Sequence, residues 1–376
     1  MVETSLLLTA DRAFVEGVLV PDAWLQTEGG IITAVGQGTP PGTPDLSLTG
    51  ATLVPGFVDL HCHGALGSAF DDESPEWDRV GAFRTAHGST RQVVSLVTAP
   101  LEQLLPRVAA AAARCAVDDA LLGVHLEGPF LADSHRGAHD ASALQAPTPD
   151  AVERLLEAGD GRILQITIAP EQPGALDAIG SFTDAGVLVA VGHTGADAAT
   201  VRAAFDAGAT VLTHACNGMP PMHHRAPGPL AAALLDERVT LEAIADGEHV
   251  APEMLALLLQ AAPGRIALVT DAMAAAGMAD GDYRIGSLDV RVEQGLPRLA
   301  DGGAIAGSTL TLDRAIRVLV AAGVPLEAAL DAATRAPADA VARPDLGRIQ
   351  LGARADLVAL DQRLEPVAVW RDGLQH

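Results

Sequence analysis

The sequence predicts an α/β protein: a (β/α)8 TIM-like barrel with a small β-sandwich domain built from both chain ends. Three observations carry this. Eight short apolar runs alternate with Ala/Leu-rich stretches of helical spacing, the order of parallel strands and their return helices. The runs open onto Gly or polar residues, as barrel strands do at the mouth. Outside residues 54–342 the texture changes to alternating residues broken by Gly and Pro, which reads as hairpins. A doubly wound sheet gives a similar string, so alternation alone does not separate the two.

Residues 1–53 carry "SLLLTADRAFVEGVLV" and "AWLQTEGGIITAVGQG", two hairpin patterns, then the loop "GTPPGTPD". The eight runs follow: "TLVPGFVDLHCHG", "VVSLVTAP", "LLGVHLEGPF", "LQITIAPE", "GVLVAVGHTGA", "ATVLTHACNG", "VTLEAIADGEH" and "RIALVTDAM". Between them, "TPDAVERLLEAG", "DAATVRAAFDAG" and "APEMLALLLQAAP" have helical spacing. The end, "LGRIQLGARADLVALDQRLEPVAVWRDG", returns to strands and turns. Residues 1–53 plus 343–376 are therefore expected to form the small β domain, and 54–342 the barrel. The chain is 376 residues long, enough for both. Apolar residues make up 49% and aromatics only 3%, so the core must be built from Ala, Val, Leu and Ile.

Charge and composition exclude several functions. The net charge is −24 with no basic patch, which argues against nucleic acid or an anionic membrane as partner. An anionic substrate would need a local site of Arg, His and backbone N–H groups. All 24 basic residues are arginine. Without lysine there is no Schiff base, no P-loop lysine and no carbamylated lysine to bridge two metals. Cys62, Cys115 and Cys216 are odd in number and widely spaced, which fits a reducing cytosol. The start "MVETSLLLTADR" lacks signal-peptide character, and no apolar run is long enough to span a membrane.

The chemistry is expected where the strands end. His61 and His63 follow "FVDL"; with a period of two, both face one side of the strand. Glu127 follows "LLGVHL" and sits in the rigid turn "EGP". His193 follows "VLVAV", His214 and Asn217 follow "TVLT", His249 follows "LEAIADG", and Asp271 follows "IALVT". Histidine and carboxylate are ordinary ligands for zinc, iron or manganese. One histidine after a strand is usually structural; an ordered set of His, Glu, His, His and Asp on successive strands is not. Two metals need a shared anionic bridge, and Glu127 is the available one. Asp271 is placed to act as a base on bound water, and it also suits a helix N-cap before "AMAAAG". Cys62 points to the opposite face as a packed apolar residue. Cys216 lies near the site but has no assigned base.

The ordered set resembles the amidohydrolase superfamily. The resemblance is carried by "PGFVDLHCHG", "HLEGPFL", "RGAHD", "GHTGA", "THACNGMPPMHHRAPG", "IADGEHV", "LVTDAM" and "IAGSTLTLDRAIR", in order over residues 54–317, with "GRIQLGARADLVALD" beyond. Narrowly, these motifs resemble the superfamily's deacetylases of amino-sugar phosphates. The resemblance implies that His193, His214 and Glu127 hold a common metal. His61 and His63 complete a second position, with Glu127 bridging, so one or two divalent ions (zinc, iron or manganese) are expected per chain. It implies Asp271 as general base and then acid, and His139 as a second catalytic group. It places His139, Ala215, Asn217, Gly218, Arg225 and His249 against the substrate, with Arg225 on the phosphate near a homodimer interface. The loop "PMHHRAPG" departs from the usual pattern, and Arg225 also reads as an exposed loop charge.

The activity implied is hydrolysis of the acetamide of N-acetylglucosamine 6-phosphate to glucosamine 6-phosphate and acetate, in the cytoplasm. The alternatives are deacylation of a related N-acyl amino sugar such as the galactosamine isomer, cyclic-amide hydrolysis, or a barrel retained for binding alone. Cyclic-amide hydrolases commonly use the lysine carbamate, which this chain cannot make.

Overall fold

The computed structural model describes residues 5–376. Eight parallel strands form one sheet: β1 (Phe57–Asp59), β2 (Ser89–Val97), β3 (Leu121–Glu127), β4 (Ile163–Ile168), β5 (Leu188–Val191), β6 (Val211–Leu212), β7 (Thr240–Ile244) and β8 (Ile266–Val269). They are hydrogen-bonded in sequence order from β1 to β8. The ring closes just beyond the strands. The Asp271 N–H donates to the His61 carbonyl at 2.8 Å, and the His63 N–H to the Ala272 carbonyl at 2.9 Å. The Asp59 carboxylate adds to this seam by accepting from the Thr270 N–H at 3.1 Å and the Thr270 hydroxyl at 2.6 Å. The expected barrel is thus present and the doubly wound sheet is not.

Helices α1 (Trp77–Ala86), α2 (Leu101–Cys115), α3 (Pro149–Gly159), α4 (Ala175–Asp184), α5 (Ala198–Asp206), α6 (Gly228–Leu235), α7 (Pro252–Ala261) and α8 (Leu312–Ala321) each follow a strand. Their starts are written in the sequence. The Thr148 hydroxyl accepts from the Ala151 N–H ahead of Pro149. The Asp197 carboxylate accepts from the N–H groups of Ala199 and Thr200. Most of these helices bury Ala, Val, Leu or Ile on the barrel, such as Ala151, Val152 and Leu155 of α3, whereas α1 buries Val80 together with Arg84 and Thr85. The aromatic contribution is small; Phe57, Phe130 and Phe182 are its fully buried members.

The chain ends form one seven-stranded sheet. Its order is 374–375, 366–371, 357–360, 46–55, 5–15, 18–28, 31–37. The sheet rolls over its own core of Leu8, Leu25, Ile32, Leu53, Leu357 and Trp370. Across the roll, the Ile32 N–H donates to the Ala353 carbonyl and the Ala355 N–H to the Gly30 carbonyl, both at 2.8 Å. Arg91 at the start of β2 fastens this module to the barrel. Its guanidinium is buried, makes two bonds of 2.6 and 3.0 Å to Asp356 and one of 2.7 Å to Asp372.

Between β8 and α8 the chain adds an element that the barrel pattern did not announce. Gly281–Ile285, Leu288–Glu293 and Leu296–Leu299 form a three-stranded antiparallel sheet. "GDYRIGSLDVRVEQGLPRL" does alternate, and its second turn, Gln294–Gly295, has positive φ at both residues (54° and 76°), as a tight hairpin requires. Ile285, Val290 and Val292 pack on Val97, Met273 and Ala306, so the insert covers one side of the barrel mouth. No helix among the described residues is long and apolar enough to cross a membrane.

Candidate metal centre

The strand-end side chains converge. His61 and His63 lie beyond β1, Glu127 ends β3, and His193, His214 and Asp271 lie just past β5, β6 and β8. His193, His214 and Asp271 all adopt left-handed backbone, with φ of 46°, 26° and 47°. Such a conformation costs about 1–3 kcal/mol for a non-glycine residue and is typical of functional sites. Asp271 does not cap a helix: Ala272 bridges to Cys62 and Ser308, and residues 274–277 form a turn.

Glu127 is the hub. Its Oε1 lies 3.0 Å from His193 Nε2 and 3.1 Å from His214 Nε2. Its Oε2 lies 3.2 Å from His63 Nε2 and 3.4 Å from His139 Nε2. His61 Nε2 is 3.5 Å from both Glu127 Oε1 and Asp271 Oδ1, and His63 Nε2 is 3.3 Å from Asp271 Oδ1. Two donor groups result: His61, His63, Glu127 and Asp271, and Glu127, His139 and His193. His214 Nε2 stands 3.0 Å from His193 Nε2.

This arrangement suits a cation. The His193 Nδ1–H donates to the His135 carbonyl at 2.9 Å, which leaves the Nε2 lone pair aimed inward. His61 Nδ1 faces Glu242 Oε2 at 3.4 Å, with the same consequence. His61 and His63 present Nε2 atoms to each other at 3.0 Å. Facing lone pairs at that range repel unless a positive charge lies between them.

The electrostatics agree. Burial opposes a charge on His61, yet Glu127 and Asp271 push its pKa well above the ordinary value. His63 is raised to about 9 in the same way, against burial, by its hydrogen bonds to Asp271 and Glu127. The two carboxylates respond in kind. Burial pulls Glu127 up, but His61, His139 and His193 hold it well below the carboxylate range. Asp271 is held low by His61 and His63, against burial and the repulsion of Glu127. The centre favours positive charge between its two carboxylates, and a divalent cation meets that demand. His139 differs: burial wins over Glu127 and lowers it to about 4.

A cavity of about 290 Å³ opens above the centre, lined by Glu127, His139, His193, His214, Asp271, Asn217, Gly218 and His249, among others. His249 donates toward Asp246 Oδ2 at 2.6 Å, and this contact raises its pKa against burial. Gly218 has φ +58°, and a Cβ there would stand 3.0 Å from His193 Nδ1. Two expected residues are elsewhere. The Ala215 N–H is spent on the Glu242 carbonyl at 2.7 Å, and Ala215 does not line the cavity. Arg225 sits in an exposed turn between His223 and Ala226, its guanidinium 2.7 Å from His224 Nε2, also outside the lining. Cys62 packs in the core as expected, and burial pushes its thiol up to about 11.

The structure adds residues that strand-end reasoning missed. Ile285, Ala304, Ile305 and Gly307 line the cavity from the insert and the segment after it. Glu242 and His125 lie inside the barrel, both wholly buried. His125 bonds Ser95 Oγ at 3.0 Å and Thr167 Oγ1 at 2.9 Å, and its ring meets that of His61 edge-on at 4.5 Å. The available signal was polarity within an apolar run: Glu in "VTLEAI", and His two residues before Glu127, on the same strand face.

A closed β/α barrel with clustered His and carboxylate donors at the C-terminal strand ends defines a class, the barrel hydrolases that work through a metal centre. The chain belongs to the amidohydrolase family, whose sequence model matches residues 52–374, and it is a hydrolytic enzyme of that family. It is similar to N-acetylgalactosamine-6-phosphate deacetylase of Escherichia coli O157:H7, 36% identical over 98% of both chains. It is also similar to N-acetylglucosamine-6-phosphate deacetylase of Vibrio furnissii, 35% identical over 85% of this chain and 82% of that one. Among solved structures, a mutant of N-acetyl-D-glucosamine-6-phosphate deacetylase from Mycobacterium smegmatis, in complex with N-acetyl-D-glucosamine 6-phosphate, superposes with a TM-score of 0.96. The two are 44% identical, over 99% of each chain.

Proposed function

We propose that the chain hydrolyses the acetamide of N-acetylglucosamine 6-phosphate, releasing glucosamine 6-phosphate and acetate. The observation that carries the reading is the convergence of Glu127 with His193 and His214 on one side and with His61, His63 and Asp271 on the other. His193, His214 and Glu127 would hold one divalent ion, and His61 and His63 a second, with Glu127 shared. When bound, such an ion polarises a carbonyl and lowers the pKa of water from about 15.7 toward 7. Nitrogen and carboxylate donors suit zinc, iron or manganese alike.

The protein's own groups do the rest. Asp271 stays ionised, so it can take the proton of the attacking water and return it to the departing amine. His139, kept neutral by burial, can direct an N–H at the developing oxyanion from the cavity wall. Asn217 and Gly218 would bracket the sugar. His249, disposed to carry a positive charge by Asp246, suits the phosphate in a protein whose overall field repels anions. Arg225 is outside its own chain's cavity, and the reading assigns it to the phosphate of a neighbouring copy in a homodimer. Three free cysteines fit a cytoplasmic setting.

The galactosamine epimer is the second reading, favoured by the similarity to the E. coli O157:H7 protein over 98% of both chains. The test is acetate release from both N-acetyl amino sugars, with and without the 6-phosphate, on protein of counted metal content. Release from the phosphorylated glucosamine derivative is expected to be fastest; a metal-loaded protein that releases none refutes the reading. Asp271→Asn is expected to keep its metal and lose turnover by about 10²–10⁴-fold. Near-full activity in that variant rules Asp271 out as the base.

A further inference from the structure

We propose that Glu242, inside the barrel and out of reach of the substrate, is a positioning residue that orients His61 and so sets the affinity of the second metal position. The inference rests on the metal centre proposed above and goes beyond its ligands.

Glu242 lies in the middle of β7 and is wholly buried. A carboxylate there is costly unless every oxygen has a partner. Each has. Oε1 accepts from Gln165 Nε2, itself fully buried, at 2.8 Å. Oε2 faces His61 Nδ1 at 3.4 Å and the His214 N–H at 3.3 Å. Among the described residues, His61 is the only ion-pair partner of Glu242. Gln165 thus braces the carboxylate from behind, and its other oxygen is presented to the rear of one imidazole.

The consequence for His61 is a fixed tautomer. With its Nδ1 proton directed at Glu242, the Nε2 lone pair must point to His63, Glu127 and Asp271. The two metal positions are served differently. His193 is oriented by a backbone carbonyl, that of His135, at 2.9 Å. His61 is oriented by a charged side chain that a single substitution removes. Among the described residues, His63 Nδ1 has no hydrogen-bond partner, so Glu242 makes the only hydrogen bond to an outward ring nitrogen of the His-x-His pair. The contact of Glu242 with His214 is to the backbone N–H, on a stretch also held by the Thr213 N–H on the Val191 carbonyl at 2.9 Å and the Ala215 N–H on the Glu242 carbonyl at 2.7 Å, and weighs less on the first position.

The experiment is a zinc titration of metal-stripped protein in competition with a chromophoric chelator. Wild type is expected to take two equivalents. Glu242→Gln nearly preserves shape and is expected to weaken one equivalent about 10–100-fold, leaving the other within a few-fold. In a His61→Asn background, which is expected to take one equivalent, adding Glu242→Gln is expected to change nothing further. A merely structural role would weaken both equivalents alike, or act equally in the His61→Asn background; either result overturns the proposal. So does a wild type with only one equivalent, or unaltered affinities in Glu242→Gln. If Glu242→Gln does not fold, as judged by circular dichroism, Gln165→Met decides the matter: removing the brace must weaken the same single equivalent. The expected titrations without acetate release would overturn the substrate and leave the role of Glu242 standing.

Discussion

Glu127 belongs to both donor groups, and this shapes what its removal should do. One oxygen serves His193 and His214, the other His63 and His139. Glu127→Gln keeps the shape but loses the charge that both groups share. Metal analysis is expected to show both equivalents weakened, unlike the one-sided loss expected for Glu242→Gln; retention of two tight equivalents would exclude a bridging role. Prolonged chelation should also lower the melting temperature, since a ligand that binds only the folded state stabilises it. An unchanged melt would mean that these donors hold no ion. At this scale the sequence was readable where a side chain ended a strand, as for His61, His63, Glu127, His193, His214 and Asp271. It was less readable where a polar residue sat mid-strand, as Glu242 does. The Glu within "VTLEAI" marks such a position but not its role, because the partners that make a buried carboxylate tolerable, Gln165 and His61, are remote in sequence.

Elements explain which expectations moved. Strand and helix order was legible because each run had its own period and its own stop: Thr148 and Asp197 mark helix starts, and Gly or polar residues mark strand ends. The insert at 281–299 escaped because its alternation is short and lies inside a long β/α rhythm. The Ala215 N–H is taken by the neighbouring strand, a pairing that residue spacing cannot reveal. Helix packing adds a pH-dependent contribution. His87, at the end of α1, lies 3.2 Å from Asp313 in the first turn of α8. Burial opposes ionisation of Asp313, but His87 and Thr311 lower its pKa to about 2. A depressed carboxylate stabilises the fold above its ordinary range and loses that contribution as pH falls through about 2. The stability gap between wild type and Asp313→Asn, followed by urea unfolding, is expected to shrink by about 2 kcal/mol between pH 5 and pH 2. A gap that widens on acidification contradicts this assignment.

At the scale of the whole molecule, two sheets from interleaved stretches of chain are tied by Arg91. Its bonds to Asp356 and Asp372 join a barrel strand to the chain-end sheet. Arg91→Ala leaves two carboxylates without their buried partner, and a loss of about 3–5 kcal/mol is expected by denaturant unfolding. Zinc stoichiometry should be unaffected, since the centre lies at the strands' other ends; a lost equivalent would show that the module shapes the centre. The two-part organisation was readable from the similar texture of both chain ends. That they hydrogen-bond as one rolled sheet was not, because strand order depends on pairings that cross the entire barrel.

The seam between the first and last barrel strands has a consequence for how the protein is made. It is closed by bonds such as that from Thr270 to Asp59, 211 residues apart, and by the backbone of His61 and Asp271 themselves. On a ribosome, the first two histidines emerge early and wait through most of synthesis for the aspartate that faces them. Contacts of such separation form late, after the cost of closing a long loop is met. Docking of the last strand therefore does two jobs in one event, sealing the cylinder and completing the donor set. A nascent or truncated chain that ends before Asp271 can hold neither a closed barrel nor a finished site.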